Sequence, residues 1–189
     1  MLFGGAFDPP HIGHKKIASS VLKEGLADEL WFIPAKDHPF SKIMSPAADR
    51  IAMLQSIMQP GTKICTYEIE KQGKSYSIET LEHFSKTQPE HEFSWIIGSD
   101  QLQSFHKWHR FQDMLSSFRV YVYPRSGYPF EPLYKQMIPL KNMQPIDVSS
   151  TEVREKVHRH APINTCVLPA VSEYIQQHGL YNTSHVTTS

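Results

Sequence analysis

Short apolar runs alternate along this chain with longer segments whose apolar positions recur at helical spacing. "MLF", "LWFIP", "CTYEI", "FSWIIG", "FRVYVYP" and "PIDV" are the candidate strands. Most are rich in β-branched and aromatic residues and stop at proline or glycine, as strands do. A first helix is predicted from His11 to Glu24, with Gly25 as its stop signal. A second starts at Ser45 as N-cap, with Pro46 in the first helical position. A third covers Ser77 to Lys86, and a fourth begins near Asp100 and breaks around Trp108. Ser149 followed by Glu152 is a capping box that opens a fifth. The last follows Pro169 and ends at Gly179. Strands alternating with helices predict an α/β fold: a doubly wound, mostly parallel sheet with helices on both faces. Residues 1–181 read as one domain and 182–189 as a frayed polar tail. The proline-rich stretch 125–145 reads as a surface excursion before the last strand.

Composition narrows the function. The chain has 189 residues, of which 40% are hydrophobic, which suffices for one well-packed domain. Lys plus Arg equals Asp plus Glu, at 19 each. A neutral chain is a poor match for a protein that grips a nucleic-acid backbone, which needs a basic face. A local basic pocket for a small phosphate ligand remains open. Cys65 and Cys166 have no CxxC spacing, so neither a disulfide framework nor a zinc site is expected. No apolar run approaches the ~20 residues that cross a bilayer, and the first residues lack a signal-peptide pattern. The expectation is a soluble cytoplasmic protein with no membrane partner; a homo-oligomer is compatible with this pattern.

Candidate chemistry begins at "GGAFDPPHIGH", between the first strand and the first helix. In open α/β sheets ligands bind beyond the carboxyl ends of the strands. Gly4 and Gly5 would let backbone approach a ligand closely. His11 and His14 are three residues apart, near the start of a helix whose N-terminus favours phosphate. Two imidazoles so placed can aim hydrogen bonds at charge that builds on a phosphorus centre. "VSSTEVR" offers a matching cradle, with Ser149, Ser150 and Thr151 at a helix start and Arg154 one turn on. Trp108 can supply a flat surface to an aromatic ring. Tyr76 and Ser77, at a helix start, can donate to a carboxylate. Asp100, past a strand end, can accept from a ribose hydroxyl. His106 and His109 are expected to be solvated surface residues.

These residues also carry a resemblance. "GGAFDPPHIGH" resembles the HxGH signature of the nucleotidyltransferase superfamily, a Rossmann-like group, and "VSSTEVR" resembles its ISSTxxR signature. From Leu2 to Tyr181 the chain is similar to the bacterial nicotinate-nucleotide adenylyltransferases. "SYSIETL", "IIGSD", Trp108 and "LPAVSEYIQQHGLY" carry that similarity. It implies transfer of AMP from ATP to nicotinate mononucleotide, giving nicotinate adenine dinucleotide (deamido-NAD) and pyrophosphate. It implies His11, His14 and Arg154 as catalytic groups. Gly4, Gly5, Phe7, Gly98, Asp100, Ser149, Ser150 and Thr151 would bind ATP. Ala6, Lys42, Tyr76, Ser77 and Trp108 would bind the nicotinate nucleotide. Mg²⁺ would be bound mainly through ATP phosphates, with no dedicated protein metal site. Three positions depart from the family pattern. Ala6 stands where Thr or Ser is usual, and Ser77 where Thr is usual. The loop "PAKDHPFSK" replaces PPHK, so Lys42 takes the place of the family's lysine, with Lys36 as the alternative. The competing readings are a pantetheine-phosphate adenylyltransferase and a non-catalytic nucleotide sensor. The first does not account for "SYSIETL" or Trp108; the second does not account for a complete set of phosphate-facing residues.

Overall fold

The computed structural model describes residues 1–36 and 44–182. Lys42 and nearly all of the expected tail lie outside them. Six strands form one sheet in the order β3-β2-β1-β4-β5-β6. They are β1 (Leu2–Gly5), β2 (Leu30–Pro34), β3 (Thr62–Ile64), β4 (Ser94–Gly98), β5 (Arg119–Tyr123) and β6 (Met137–Pro139). Every pairing is parallel, which is the doubly wound sheet expected. The strand order reverses between β1 and β4. Connections leave to opposite faces there, so a crevice opens at the carboxyl ends of these two strands.

Period-2 alternation assigns the two faces of the sheet. Phe3, Phe32, Ile96 and Tyr121 point to one core, with α1 (Ile12–Lys23), α2 (Ala47–Gln55), α6 (Ser150–His158) and α7 (Pro169–Gln177) over them. Leu2, Trp31, Ile33, Trp95, Ile97, Val120 and Val122 point to the other. That face is covered by α4 (Ser77–Thr87), α5 (Phe111–Ser117) and a 3-10 segment, Ser99–Lys107. Central strands buried on both faces need continuous apolar runs, and β2 and β4 have them. No helix among the described residues is long and apolar enough to cross a membrane.

Three expectations about elements change. "CTYEI" is not a strand: β3 ends at Ile64, and Tyr67–Glu70 forms a single-turn helix, α3. The Thr66 carbonyl accepts from the Ile69 and Glu70 amides, and Glu68 is drawn inward. Its alternation of apolar and polar residues fits one helical turn as well as a strand. "PIDV" is not a strand either, since Ile146 makes only an isolated bridge to Arg125. The last strand comes instead from inside the supposed excursion, where Met137–Pro139 pairs with Val120–Val122. Finally, Ser45 does not cap α2 with its side chain. Its backbone is used, as described below.

Gly4 has a packing role. A β-carbon there would collide with Cζ2 of Trp95, which is itself buried. The core therefore requires glycine at this position, independently of any ligand. Gly4→Ala is expected to destabilise the fold by about 1–3 kcal/mol through overpacking. Urea denaturation of the two proteins measures it, and equal midpoints would contradict the packing role.

Candidate active site

The loop from β1 to α1 is held by its carbonyl groups. The buried Arg50 of α2 donates from Nη1 to the Ala6 carbonyl at 2.8 Å and from Nε to the Ser45 carbonyl at 3.0 Å. Arg154 of α6 donates to the Asp8 carbonyl at 2.6 Å, and Ser150 to the Pro9 carbonyl at 2.8 Å. Asp8 is buried, and its carboxylate accepts from the Ser45 amide and the Tyr181 hydroxyl. Phe7 takes a left-handed backbone, φ +50°, and its ring lies in the core against the His14 ring at 4.9 Å. Its side chain supports the site from beneath. The ring of Phe7 also fills the space beside Gly5, where a β-carbon would sit 3.2 Å from it.

This loop delivers His11 as the residue that precedes α1 and His14 in its first turn. Their rings stack with centroids 3.7 Å apart. The His11 amide donates to Nδ1 of His14 at 3.0 Å. Nδ1 of His11 is buried and turned toward the His14 amide, so the two residues face each other reciprocally as a capping box. Burial pushes the His11 imidazole down to about 3, with the Arg125 charge adding to the effect. Burial also holds His14 well below the usual range, with His11 and Arg125 contributing. Both rings are neutral at physiological pH.

The second motif meets the first. Ser149 caps α6 with its hydroxyl oxygen, which accepts from the Glu152 amide at 3.1 Å, as the capping box predicts. The Arg154 guanidinium is oriented by its bonds to the Asp8 carbonyl and to Thr151 Oγ1. The sequence missed Arg125, just beyond β5. It donates to the Val148 carbonyl at 2.6 Å, lies 3.8 Å from Asp100, and is the charge felt by both histidines. The strand-end rule that picks Asp100 applies equally to Arg125, but its proline-rich segment reads as an excursion. Gly98 explains itself through Asp100: a β-carbon on Gly98 would sit 2.2 Å from Asp100 Oδ1. Burial raises the Asp100 carboxyl, and Arg125 opposes this in part.

The aromatic side of the site stands on α4 and the end of the 3-10 segment. Tyr76 precedes α4 and is exposed, and Ser77 is the first residue of that helix. The His109 ring lies on the Tyr76 ring at 4.3 Å. His109 is exposed as expected, yet it belongs to this surface rather than to bulk solvent. Trp108 is half-buried against Phe105, ring centroids 5.0 Å apart. Thr80 donates to Glu68 at 2.7 Å, tying α4 to α3. Lys36 donates to the Lys71 carbonyl at 2.7 Å, so it supports the α3–α4 turn.

Two cavities accompany these groups. One of about 330 Å³ lies beside Ile12, Gly13, Lys16, Ile146, Val148 and Cys166, next to the imidazole pair. The other, about 560 Å³, opens by Phe93 and Arg119 at the amino ends of β4 and β5, the wrong end of the sheet for ligands. Among the described residues no three His, Cys, Asp or Glu side chains group as a metal site.

Comparison with known proteins places this geometry. The cytidylyltransferase-like family matches residues 2–156. The nicotinate-nucleotide adenylyltransferase of Bacillus subtilis is 30% identical over 184 residues, covering 95% of this chain and 96% of that one. The Bacillus pumilus protein named "Probable nicotinate-nucleotide adenylyltransferase" is 34% identical over 184 residues, again covering 95% and 96%. Among solved structures, Plasmodium falciparum nicotinic acid mononucleotide adenylyltransferase complexed with NaAD shares the fold. Its TM-score is 0.79 at 18% identity, over 96% of each chain. The chain belongs to the cytidylyltransferase-like family. Within that class it is a member of the nicotinate-nucleotide adenylyltransferases.

The depressed histidines make stability depend on pH. His11 binds a proton near the usual 6.5 when unfolded and only near 3 when folded. Stability is complete above the unfolded value and falls as pH drops between the two. Each such group costs about 1.4 kcal/mol per pH unit within that window. Lowering pH from 7 to 5 is expected to destabilise the protein by about 2 kcal/mol more than it destabilises His11→Asn. Urea denaturation at both pH values measures the difference, and parallel losses in the two proteins would contradict it.

Proposed function

We propose that this chain transfers the adenylyl group of ATP to nicotinate mononucleotide, releasing pyrophosphate and nicotinate adenine dinucleotide. The observation that carries the reading is the stacked imidazole pair at the sheet's switch point, fastened to the serine and arginine of α6. The acceptor's phosphate oxygen attacks the α-phosphorus in line and forms the new P–O bond. The bond from the α-phosphorus to the bridging oxygen breaks, and pyrophosphate leaves with that oxygen. A phosphate is already a competent nucleophile, so the protein's task is positioning and charge stabilisation. His11 and His14 donate to α- and β-phosphate oxygens. Ser149, Ser150, Thr151 and Arg154 orient the pyrophosphate, with Arg125 supplying further positive charge.

The cavity beside Gly13 and Ile146 takes the purine ring of ATP, and Asp100 accepts from a ribose hydroxyl. Trp108 and the Tyr76–His109 pair frame the pyridine ring. The start of α4 at Ser77 offers its carboxylate free N–H groups and a hydroxyl. Backbone groups of Gly5 and Ala6 lie along the path between the two nucleotides. Mg²⁺ would be held mainly through the phosphates and keep most of its waters. When bound, it neutralises charge on the leaving pyrophosphate. The neutral composition and the small-ligand cavity support a cytoplasmic enzyme acting on free nucleotides.

His14→Ala is expected to lower kcat by roughly a hundred- to a thousandfold, the usual cost of one such donor, with little change in KM. A large KM effect with kcat intact would contradict the role. Pyrophosphate release with ATP and Mg²⁺ tests the acceptor. Turnover should favour nicotinate mononucleotide over nicotinamide mononucleotide and phosphopantetheine. Turnover with phosphopantetheine alone would keep the phosphate chemistry and overturn the pyridine site. Silence with all three in a protein that binds ATP would favour a sensor.

A further inference from the structure

In each histidine of the pair, the fold has already committed one ring nitrogen. Nδ1 of His14 accepts the His11 amide at 3.0 Å. A nitrogen that accepts an N–H carries no proton of its own, so the proton of His14 is on Nε2. Nδ1 of His11 is sealed from solvent and turned toward the His14 amide, whose main bond is to the His11 carbonyl at 3.0 Å. It faces Gly13, where a β-carbon would sit 2.8 Å from that nitrogen and 2.6 Å from Cγ2 of Ile146. A proton placed there would set a donor against the His14 N–H with no acceptor in reach. That is more costly than leaving the nitrogen bare, because a bare nitrogen can take a share of the amide it faces.

The charges around the pair act in the same direction. Arg125, beyond β5, bears on both rings, and the His11 ring bears on His14 across 3.7 Å. From α6, Arg154 reaches the neighbouring Asp8 carbonyl. The nearby acids are engaged elsewhere. Asp8 accepts from Ser45 and Tyr181, and Asp100 faces Arg125. No ion pair or hydrogen bond joins either imidazole to a carboxylate among the described residues.

We propose that His11 and His14 are fixed by the fold as neutral Nε2–H donors, and that neither becomes an imidazolium when a polyphosphate binds. Its ligand rests on the adenylyltransferase reading; its geometry does not. The pair then cannot act as a general acid. The acceptor oxygen bonds to the α-phosphorus, the bond to the bridging oxygen breaks, and no proton moves from either histidine. The net positive charge of the site comes from Arg125 and Arg154. Gly13 and Ile146 become positioning residues, because they close off the one nitrogen of His11 that could otherwise take a proton. Neutral donors also suit a site that must release a polyanion after each turnover, since they hold it less tightly than cations would.

Imidazole ¹⁵N spectra of the full-length protein test this, with His11→Asn and His14→Asn used to assign the two rings. They are recorded from pH 8 to 5, free and with Mg²⁺ and an ATP analogue carrying a methylene between the α- and β-phosphates. The expected result is one bare and one protonated nitrogen in both rings throughout, with Nε2 protonated, while solvated histidines titrate. Both nitrogens of either ring becoming protonated on analogue binding would overturn the proposal. If the analogue does not bind, the transferase reading falls separately. The free-protein spectra then decide the proposal: an unchanged neutral pattern at pH 5 supports it, and titration of either ring above pH 5 overturns it.

Discussion

Arg154 reaches back 146 positions to the carbonyl of Asp8, and the site depends on that reach. The loop between β1 and α1 runs through a buried crevice with its carbonyls turned away from any ladder. Buried carbonyls must find donors or cost stability. Three of them do: Ala6 from Arg50, Asp8 from Arg154 and Pro9 from Ser150. The donors stand on α2 and α6, both distant from the loop along the chain. The first motif is thus rigid only when the whole domain is folded, and the imidazole pair inherits that rigidity. Serine and arginine of the second motif do double service, since the contacts that fasten the loop also aim the arginine at the site.

Electrostatics follow from the same enclosure. The loop buries His11 and half-buries His14, which keeps both neutral, while Arg125 stands beside them facing Asp100 at 3.8 Å. The result is a cleft lined by fixed positive charge and neutral donors. Such a cleft favours a polyphosphate without carboxylate partners that would compete with it. The neutral overall charge of the chain hides this local bias.

Much of this could be read from the chain because it was written in local chemistry. β2 and β4 are buried throughout, and β1 and β5 over most of their length, so all four read as apolar runs between stop signals. The capped start of α6 needed only Ser149 and Glu152 to be seen. What escaped was decided by tertiary contact. "CTYEI" carries no signal separating one helical turn from a strand; the burial of Glu68 against Thr80 settles it. β6 is three residues long and ends at a proline, tolerable on an edge strand and invisible to periodicity. Gly4 looks like a ligand glycine, and its packing against Trp95 from the neighbouring strand is a second requirement that no local pattern shows. Arg125 and Arg50 look like ordinary surface cations in the sequence, and only the crevice makes them part of the site. The resemblance to a known family located the phosphate motifs; it did not reveal how the loop is held.

A crystal structure of the protein with nicotinate mononucleotide and the methylene-bridged ATP analogue would show whether the imidazole pair faces the α-phosphate. Its α-phosphate oxygens are expected within hydrogen-bond reach of Nε2 of His11 and His14. The acceptor phosphate is expected in line with the α-phosphorus, with the loop carbonyls still held by Arg50, Arg154 and Ser150. An α-phosphate bound away from the imidazole pair, or a loop that releases Arg154 to make room, would contradict this arrangement.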